Sequence, residues 1–301
     1  MCIRDRGEGN TPTVNISEKF PEVLSANLKL EYFSPTGSFK DRGTSVLINQ
    51  AHKNGVMEFA EDSSGNAGAS MSAYAANIGM KAHIFTPSST PENKKNQIKI
   101  FGSELHLVDG PRENSTIEVK KFTNSTGITY LSHNYNPFLV EGMKIFGEDF
   151  FNEFVSEITD IVIPVGNGSL LIGVKKAYEE LISLNKLKKM PKIHCIQVEG
   201  FSPIVKKLNN FEWKFDESSK TLAGGIAVTN PPRINQVVEA VNNSSGFGVE
   251  VSESEIIRWH RKLAKWGFLS EITCAAAMAG TEKLIDLGAL NKFSNVVIPI
   301  T

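Results

Sequence analysis

Short apolar runs alternate with longer amphipathic stretches along almost the whole chain, and the two periodicities predict strands and helices in turn. Leu28-Lys29-Leu30-Glu31-Tyr32 reads as a strand. Residues 40–54 place Val46, Leu47 and Ala51 on one face, a helix that Gly55 stops. Strands are predicted at 56–60, 82–86, 105–108 and 129–131, with helices at 66–78, 91–101 and 113–124 between them. A second series follows: a helix at 138–154, a strand at 161–165, a helix at 170–184, a strand at 193–198, helices at 234–241, 253–266 and 274–287, and a strand at 296–300. Ile161-Val162-Ile163-Pro164-Val165 is nearly all apolar, as expected of a strand covered on both faces. Strand-helix alternation with short turns predicts parallel sheets layered with helices, and two series predict two α/β domains. The charges between Pro91 and Lys99 fit a solvated helix face.

Length and composition agree with that picture. A chain of 301 residues, 41% hydrophobic and 22% charged, can build about two domains with real cores. Its 32 basic and 33 acidic residues give no electrostatic case for a nucleic acid or an anionic membrane as partner. No apolar run reaches the length of a membrane span. Cys2, Cys195 and Cys274 are too scattered for a disulfide framework or a zinc site, so a reducing cytoplasm is the expected location. The six histidines are dispersed, with no His-x-x-x-His pair, which argues against a metal site. Met1-Cys2-Ile3-Arg4-Asp5-Arg6 is too short and polar for a signal peptide and reads as foreign or disordered. The stop at Thr301, straight after an apolar strand, reads as truncation.

Candidate chemistry lies in three turns at helix starts, where parallel α/β sheets bind their ligands. The first is Ser34-Pro35-Thr36-Gly37-Ser38-Phe39-Lys40-Asp41-Arg42-Gly43. A lysine held at a turn-helix junction can lose solvent, and a neutral amine attacks carbonyls. Most lysines are solvated surface charges, which is the bland alternative. Asp41 and Arg42 can form a structural clamp with each other. The second turn is Asp62-Ser63-Ser64-Gly65-Asn66-Ala67-Gly68, whose hydroxyls and helix-start N–H groups suit a carboxylate, or serve only as a Ser/Asn cap. The third is Gly166-Asn167-Gly168-Ser169, where glycines let backbone N–H groups close around a phosphate. A nicotinamide fingerprint needs an acidic residue ~20 positions on, and Ser183-Leu184-Asn185 fills that spacing instead. Glu271-Ile272-Thr273 reads equally as a cap or as part of a site, and His133, in a polar loop, reads first as a solvated loop histidine and second as a residue near a site.

Taken together, Thr36-Gly37-Ser38-Phe39-Lys40-Asp41-Arg42-Gly43, Ser63-Ser64-Gly65-Asn66, Gly166-Asn167-Gly168-Ser169 and Glu271-Ile272-Thr273 resemble the fold type II (tryptophan synthase beta-like) pyridoxal-phosphate enzymes. Gly9-Asn10-Thr11-Pro12, Lys40-Asp41-Arg42-Gly43 and Glu141-Gly142-Met143-Lys144 lean toward the threonine synthase branch. The resemblance covers Gly7 to Thr301. It implies a larger α/β domain from residues 7–33 and 139–301, a smaller one from 34–138, and pyridoxal 5'-phosphate between them. It implies that Lys40 forms the Schiff base, that Asn66 bonds the ring hydroxyl, and that Gly166, Asn167, Gly168 and Ser169 hold the phosphate. Thr301 would contact the ring nitrogen, and Ser63, Ser64 and Ala67 the carboxylate of a small amino-acid substrate. The implied reaction is conversion of O-phosphohomoserine and water to threonine and phosphate. Threonine or serine dehydration, another β-replacement, or an inactive truncated cofactor-binding fragment are the alternatives, and the resemblance leaves room for a homodimer. The sequence departs from the family in three places. A Gly-His-Gly turn after Thr301 is absent, Phe138-Leu139-Val140 stands where a basic residue is expected, and Gly224 replaces an acidic residue.

Overall fold

The computed structural model describes residues 7–63, 65–154 and 157–301. The hexapeptide 1–6, expected to be foreign or disordered, and Ser64 lie outside the described residues. The strands, in chain order, are β1 (Thr13–Asn15), β2 (Ser25–Leu30), β3 (Glu58–Glu61), β4 (Lys81–Pro87), β5 (Glu104–Val108), β6 (Thr129–Tyr130), β7 (Asp160–Pro164), β8 (Lys192–Val198), β9 (Gly248–Val251) and β10 (Asn295–Ile300). The helices are α1 (Lys40–Lys53), α2 (Asn66–Asn77), α3 (Glu92–Lys99), α4 (Arg112–Thr126), α5 (Pro137–Glu153), α6 (Ser169–Ser183), α7 (Pro203–Leu208), α8 (Ile234–Asn243), α9 (Glu253–Lys265) and α10 (Ile272–Asp286). The fold is α/β with parallel sheets, as the alternating pattern implies. The described residues divide into two compact units, one comprising residues up to Gly9 with Ser34–Gly142, the other Asn10–Phe33 with Met143–Thr301.

The first unit holds a four-stranded parallel sheet in the order β5-β4-β3-β6. Its inner strands are the apolar ones: Phe59, Ala60 and Ile84 are buried. Helix α4 covers one face, packing Val119 and Phe122 on Ala60 and Phe85. Helices α1 and α2 are stitched at their starts by a buried bond from Ser70 Oγ to Asp41 Oδ1 of 2.6 Å.

The second unit holds a six-stranded sheet in the order β1-β2-β10-β7-β8-β9. Only β1 runs antiparallel to its neighbour, pairing Thr13 with Lys29. Strand β10 lies between β2 and β7, pairing Asn295 with Ser25 and Val297 with Ile161. Four of the five residues of β7 are buried, in line with its reading as a strand covered on both faces, and all six residues of β10 are buried as well. The small residues Cys274, Ala275, Ala276 and Ala277 let α10 pack closely in a core with Leu28, Ile196, Ile298 and Trp259. Ser252 begins α9 with a capping box, its side chain accepting from Glu255 N while the Glu255 carboxylate takes the Ser252 N–H.

Three elements escape the periodicity reading. Strand β1 has three residues and β9 four, too few to show alternation, and α7 has six residues, under two turns.

Candidate active site

Lys40 is the first residue of α1, immediately after a turn in which Gly37 adopts φ +81° and its N–H bonds Ser34 O. Asp41 pins this turn. Its Oδ2 accepts from Thr36 N at 2.7 Å, and its Oδ1 from Thr36 Oγ1 at 2.6 Å and from Ser70. The aspartate thus holds the loop to α2, a role the clamp reading with Arg42 did not include. Gln97 of α3 adds a bond to Thr36 O at 3.0 Å. The Lys40 side chain is half-buried, with its Nζ 4.5 Å from the centre of the Phe39 ring. Burial lowers its pKa from 10.5 to about 8, opposed in part by attraction to Glu61.

Glu61 is the site residue that the sequence concealed. It ends β3, is fully buried, and receives both the backbone N–H and the Nδ1 of His133. Desolvation raises its pKa, and the His133 ring opposes that shift. His133 is therefore buried and paired, not the solvated loop histidine that its polar neighbours suggested. The next residue, Asp62, is tied away by Arg112 at 3.0 Å, by Thr116 and by Tyr130.

Helix α2 begins at Asn66 behind Gly65, which brings no side-chain cap of its own, and Gly65 N–H lies 3.4 Å from Ser63 Oγ. Free N–H groups at a helix start favour an anion. Ser63 and Ala67 are buried beside that start, while Ser64 is outside the described residues. Asn66 Oδ1 accepts from Lys94 Nζ of α3 at 2.8 Å. Lys94 is half-buried, so the charged run of α3 is more than a solvated face. Its signal was masked because Glu92, Lys95 and Lys99 surround it in sequence.

In the second unit, the strand β7 runs into the turn Gly166–Asn167–Gly168 and then α6. Gly168 caps α6 in the left-handed region, φ +86°, and offers no side-chain bond. A Cβ there would stand 2.2 Å from Val237 Cγ2, and one at Gly166 would stand 2.9 Å from Gly225 O. Only glycine fits both positions, so the chain enters α6 with backbone alone at these two points. Gly225 N–H in turn bonds Thr273 Oγ1 at 3.3 Å, which brings the Glu271-Ile272-Thr273 segment against the Gly224-Gly225 turn. Thr301 follows β10 and is held at the start of α10. Its N–H lies 2.8 Å from Cys274 Sγ, and its carbonyl accepts from Glu271 N at 2.9 Å.

These features fit pyridoxal 5'-phosphate. Taken separately, an amine whose pKa burial lowers suits the aldehyde, and a turn that excludes Cβ atoms at two points suits the phosphate. The family model for pyridoxal-phosphate-dependent enzymes matches residues 4–301, and the chain belongs to that family. Within it the chain is similar to threonine synthases. It is 30% identical to that of Methanosarcina acetivorans over 298 residues, covering 96% of this chain and 73% of the relative. It is 32% identical to that of Bacillus sp. (strain ULM1) over 299 residues, covering 98% and 82%. It is 29% identical to that of Methanocaldococcus jannaschii over 297 residues, covering 96% and 73%. Among solved structures, the processed form of threonine deaminase isoform 2 from Solanum lycopersicum matches with a TM-score of 0.83 at 19% identity, covering 97% of this chain and 78% of that one. Maize serine racemase matches with a TM-score of 0.83 at 20% identity, covering 96% and 86%. These likenesses give the fold, that of the fold type II enzymes. Among the described residues no helix is long and apolar enough to cross a membrane.

Proposed function

We propose that this chain is a lyase of the threonine synthase type that converts O-phosphohomoserine and water to threonine and phosphate. The observation that carries the reading is the Lys94 ammonium, 2.8 Å from Asn66 Oδ1 at the start of α2. A substrate with a carboxylate at one end and a phosphate at the other needs both a set of free N–H groups and a cation. The threonine synthase relatives support the same reading.

Pyridoxal 5'-phosphate, when bound, supplies an aldehyde for amino groups and a ring that stores the electrons released beside it. Lys40 is the amine that anchors the aldehyde, and the turn from Gly166 to Ser169 holds the phosphate. With Lys94 at its Oδ1, Asn66 would donate from its amide nitrogen to the ring hydroxyl. Thr301 offers a neutral hydroxyl to the ring nitrogen. The start of α2, with Ser63, Ser64 and Ala67, takes the substrate carboxylate, and Lys94 takes the phosphate. Lys40 Nζ would remove one proton from Cα and one from Cβ, and return one to Cγ and one to Cα. Phosphate leaves from Cγ and the oxygen of water adds at Cβ.

Dehydration of threonine or serine is the second reading. It is favoured by Phe138-Leu139-Val140, of which Leu139 and Val140 are buried, at the place where the family's branch carries a basic residue. The two separate in one assay. The first reading expects phosphate and threonine in equal amounts from O-phosphohomoserine. It also expects Lys94→Gln to raise KM at least about tenfold, the worth of one charge-assisted hydrogen bond, with the visible absorption of the bound cofactor unchanged. A higher kcat/KM for 2-oxo acid formation from threonine or serine would establish dehydration instead.

A further inference from the structure

At the opposite end of the small sheet from Lys40, where the strands begin, a second cluster of chemistry-bearing side chains lies on one face. The parallel register sets Ala60 beside His83 and His83 beside Glu104, with Phe85 beside His106. Side chains two apart on a strand share a face, so Glu58, Lys81, His83, Glu104 and His106 all project on the same side. Histidines 23 positions apart in sequence become neighbours in this way. Their spacing in the sequence gives no sign of this contact.

The contacts within the cluster are specific. His83 is buried, and its Nε2 lies 2.9 Å from Glu58 Oε1. A carboxylate accepts only, so Nε2 carries the proton and Nδ1 is left with a lone pair. That lone pair faces His106 Nε2 at 3.1 Å and Glu104 Oε2 at 3.4 Å. Three atoms able to give a lone pair therefore converge, and at most one shared proton separates the two nitrogens. A tetrahedral centre with ligands at about 2.0–2.1 Å has edges of about 3.3 Å, close to both separations. Aromatic neighbours pack on both rings. Phe85 stacks on His106 with centroids 4.3 Å apart and planes within 5°, and Phe122 leans on His83 at 4.9 Å. A carboxylate on the far nitrogen of a ligating histidine is the usual outer partner of a metal site. Lys81 Nζ, on an exposed side chain, sits 3.0 Å from Glu58 and 3.2 Å from Glu104. It is the cation that balances these carboxylates, and its stem is long enough to move aside.

We propose that His83 Nδ1, His106 Nε2 and a Glu104 oxygen form a binding site for a divalent transition metal of the zinc class, with Glu58 orienting His83 and one coordination position open to solvent. Imidazole and carboxylate together select such ions over calcium or magnesium, which prefer all-oxygen sets. The site is independent of the cofactor and of the reaction proposed above.

The full chain with its cofactor, dialysed against a chelator, would be titrated with Zn2+ against a chromophoric competitor and separately with Co2+. The expected result is one ion per chain and the visible bands of four- or five-coordinate cobalt. His106→Gln and Glu104→Gln lie at half-buried and exposed positions, so both variants should fold. The first should weaken Zn2+ by more than about 100-fold, and Glu58→Gln by about 10–100-fold, the range for an outer partner. The exposed substitution Lys186→Ala should leave affinity unchanged. Absence of a stoichiometric ion, or equal Zn2+ affinity in His106→Gln, Glu104→Gln and the parent chain, would overturn the site.

Discussion

Replacing Glu61 by glutamine tests the electrostatics of the candidate active site most directly. With a pKa of about 8, Lys40 at pH 7 is neutral in roughly one molecule in eleven, against about one in 3,000 for a lysine at 10.5. The turn therefore enriches the reactive amine by a factor of about 300. Burial produces the shift, and Glu61 works against it by stabilising the ammonium. Removing that carboxylate should move the Lys40 midpoint below its parent value, so the variant should hold more free amine at pH 7. His133→Ala should act in the same direction, because the ring of His133 helps keep Glu61 ionised. The sign for stability follows from linkage. The unfolded chain binds the extra proton, so cofactor-free protein should gain stability, relative to Lys40→Met, as pH rises from about 8 toward 10.5. Trace acetylation of the cofactor-free chain across a pH series, with peptide mapping, reads the Lys40 midpoint against exposed lysines. A parent midpoint above about 10, or a Glu61→Gln midpoint above the parent's, would refute the reasoning.

Three further outcomes are expected. Gly168→Val combines a positive φ with a clash against Val237, so cofactor retention should fall far more than in Lys186→Ala; dialysis followed by absorbance measures it. Asp41→Asn exchanges a buried acceptor of three hydrogen bonds for an amide that cannot accept at both ends. A loss of about 1–3 kcal/mol is expected, read as a lower urea midpoint at unchanged slope. Bonds from His194 and Thr159 outweigh burial and hold the Asp160 pKa below its ordinary value. Its contribution is present above about pH 4 and lost as pH falls through the lower folded value, so Asp160→Asn should flatten the acid limb of a pH-stability curve.

What the sequence disclosed and what it withheld have physical reasons. Strands such as β7 and β10 show as apolar runs because both faces are buried, and α1 shows because Leu47 and Ala51 repeat at helical spacing, with Ile48 rather than Val46 buried beside them. Lys40 and Gly168 were visible because turn chemistry is local. The Glu61–His133 pair was not, since 72 positions separate residues that meet only through β3 and the loop after β6. The His83–His106 contact was hidden for the same reason, being a product of strand register. Lys94 was lost among like charges, and its position beside Asn66 depends on the packing of α3 on α2.

The pairing of β2 with β10 bears on how the protein forms on the ribosome. Ser25 and Asn295 meet across 270 positions of chain, and the loop so closed contains the whole of Ser34–Gly142. Closing it costs about 3 kcal/mol more in chain entropy than closing a loop of ten residues. The first unit has all four strands of its sheet within Glu58–Tyr130 and can condense while synthesis continues. Strand β2, with Ala26, Leu28 and Leu30, must wait with an apolar edge until β10 emerges. That interval is when a nascent chain is most exposed to wrong pairing, and when a chaperone that shields β2 would matter most.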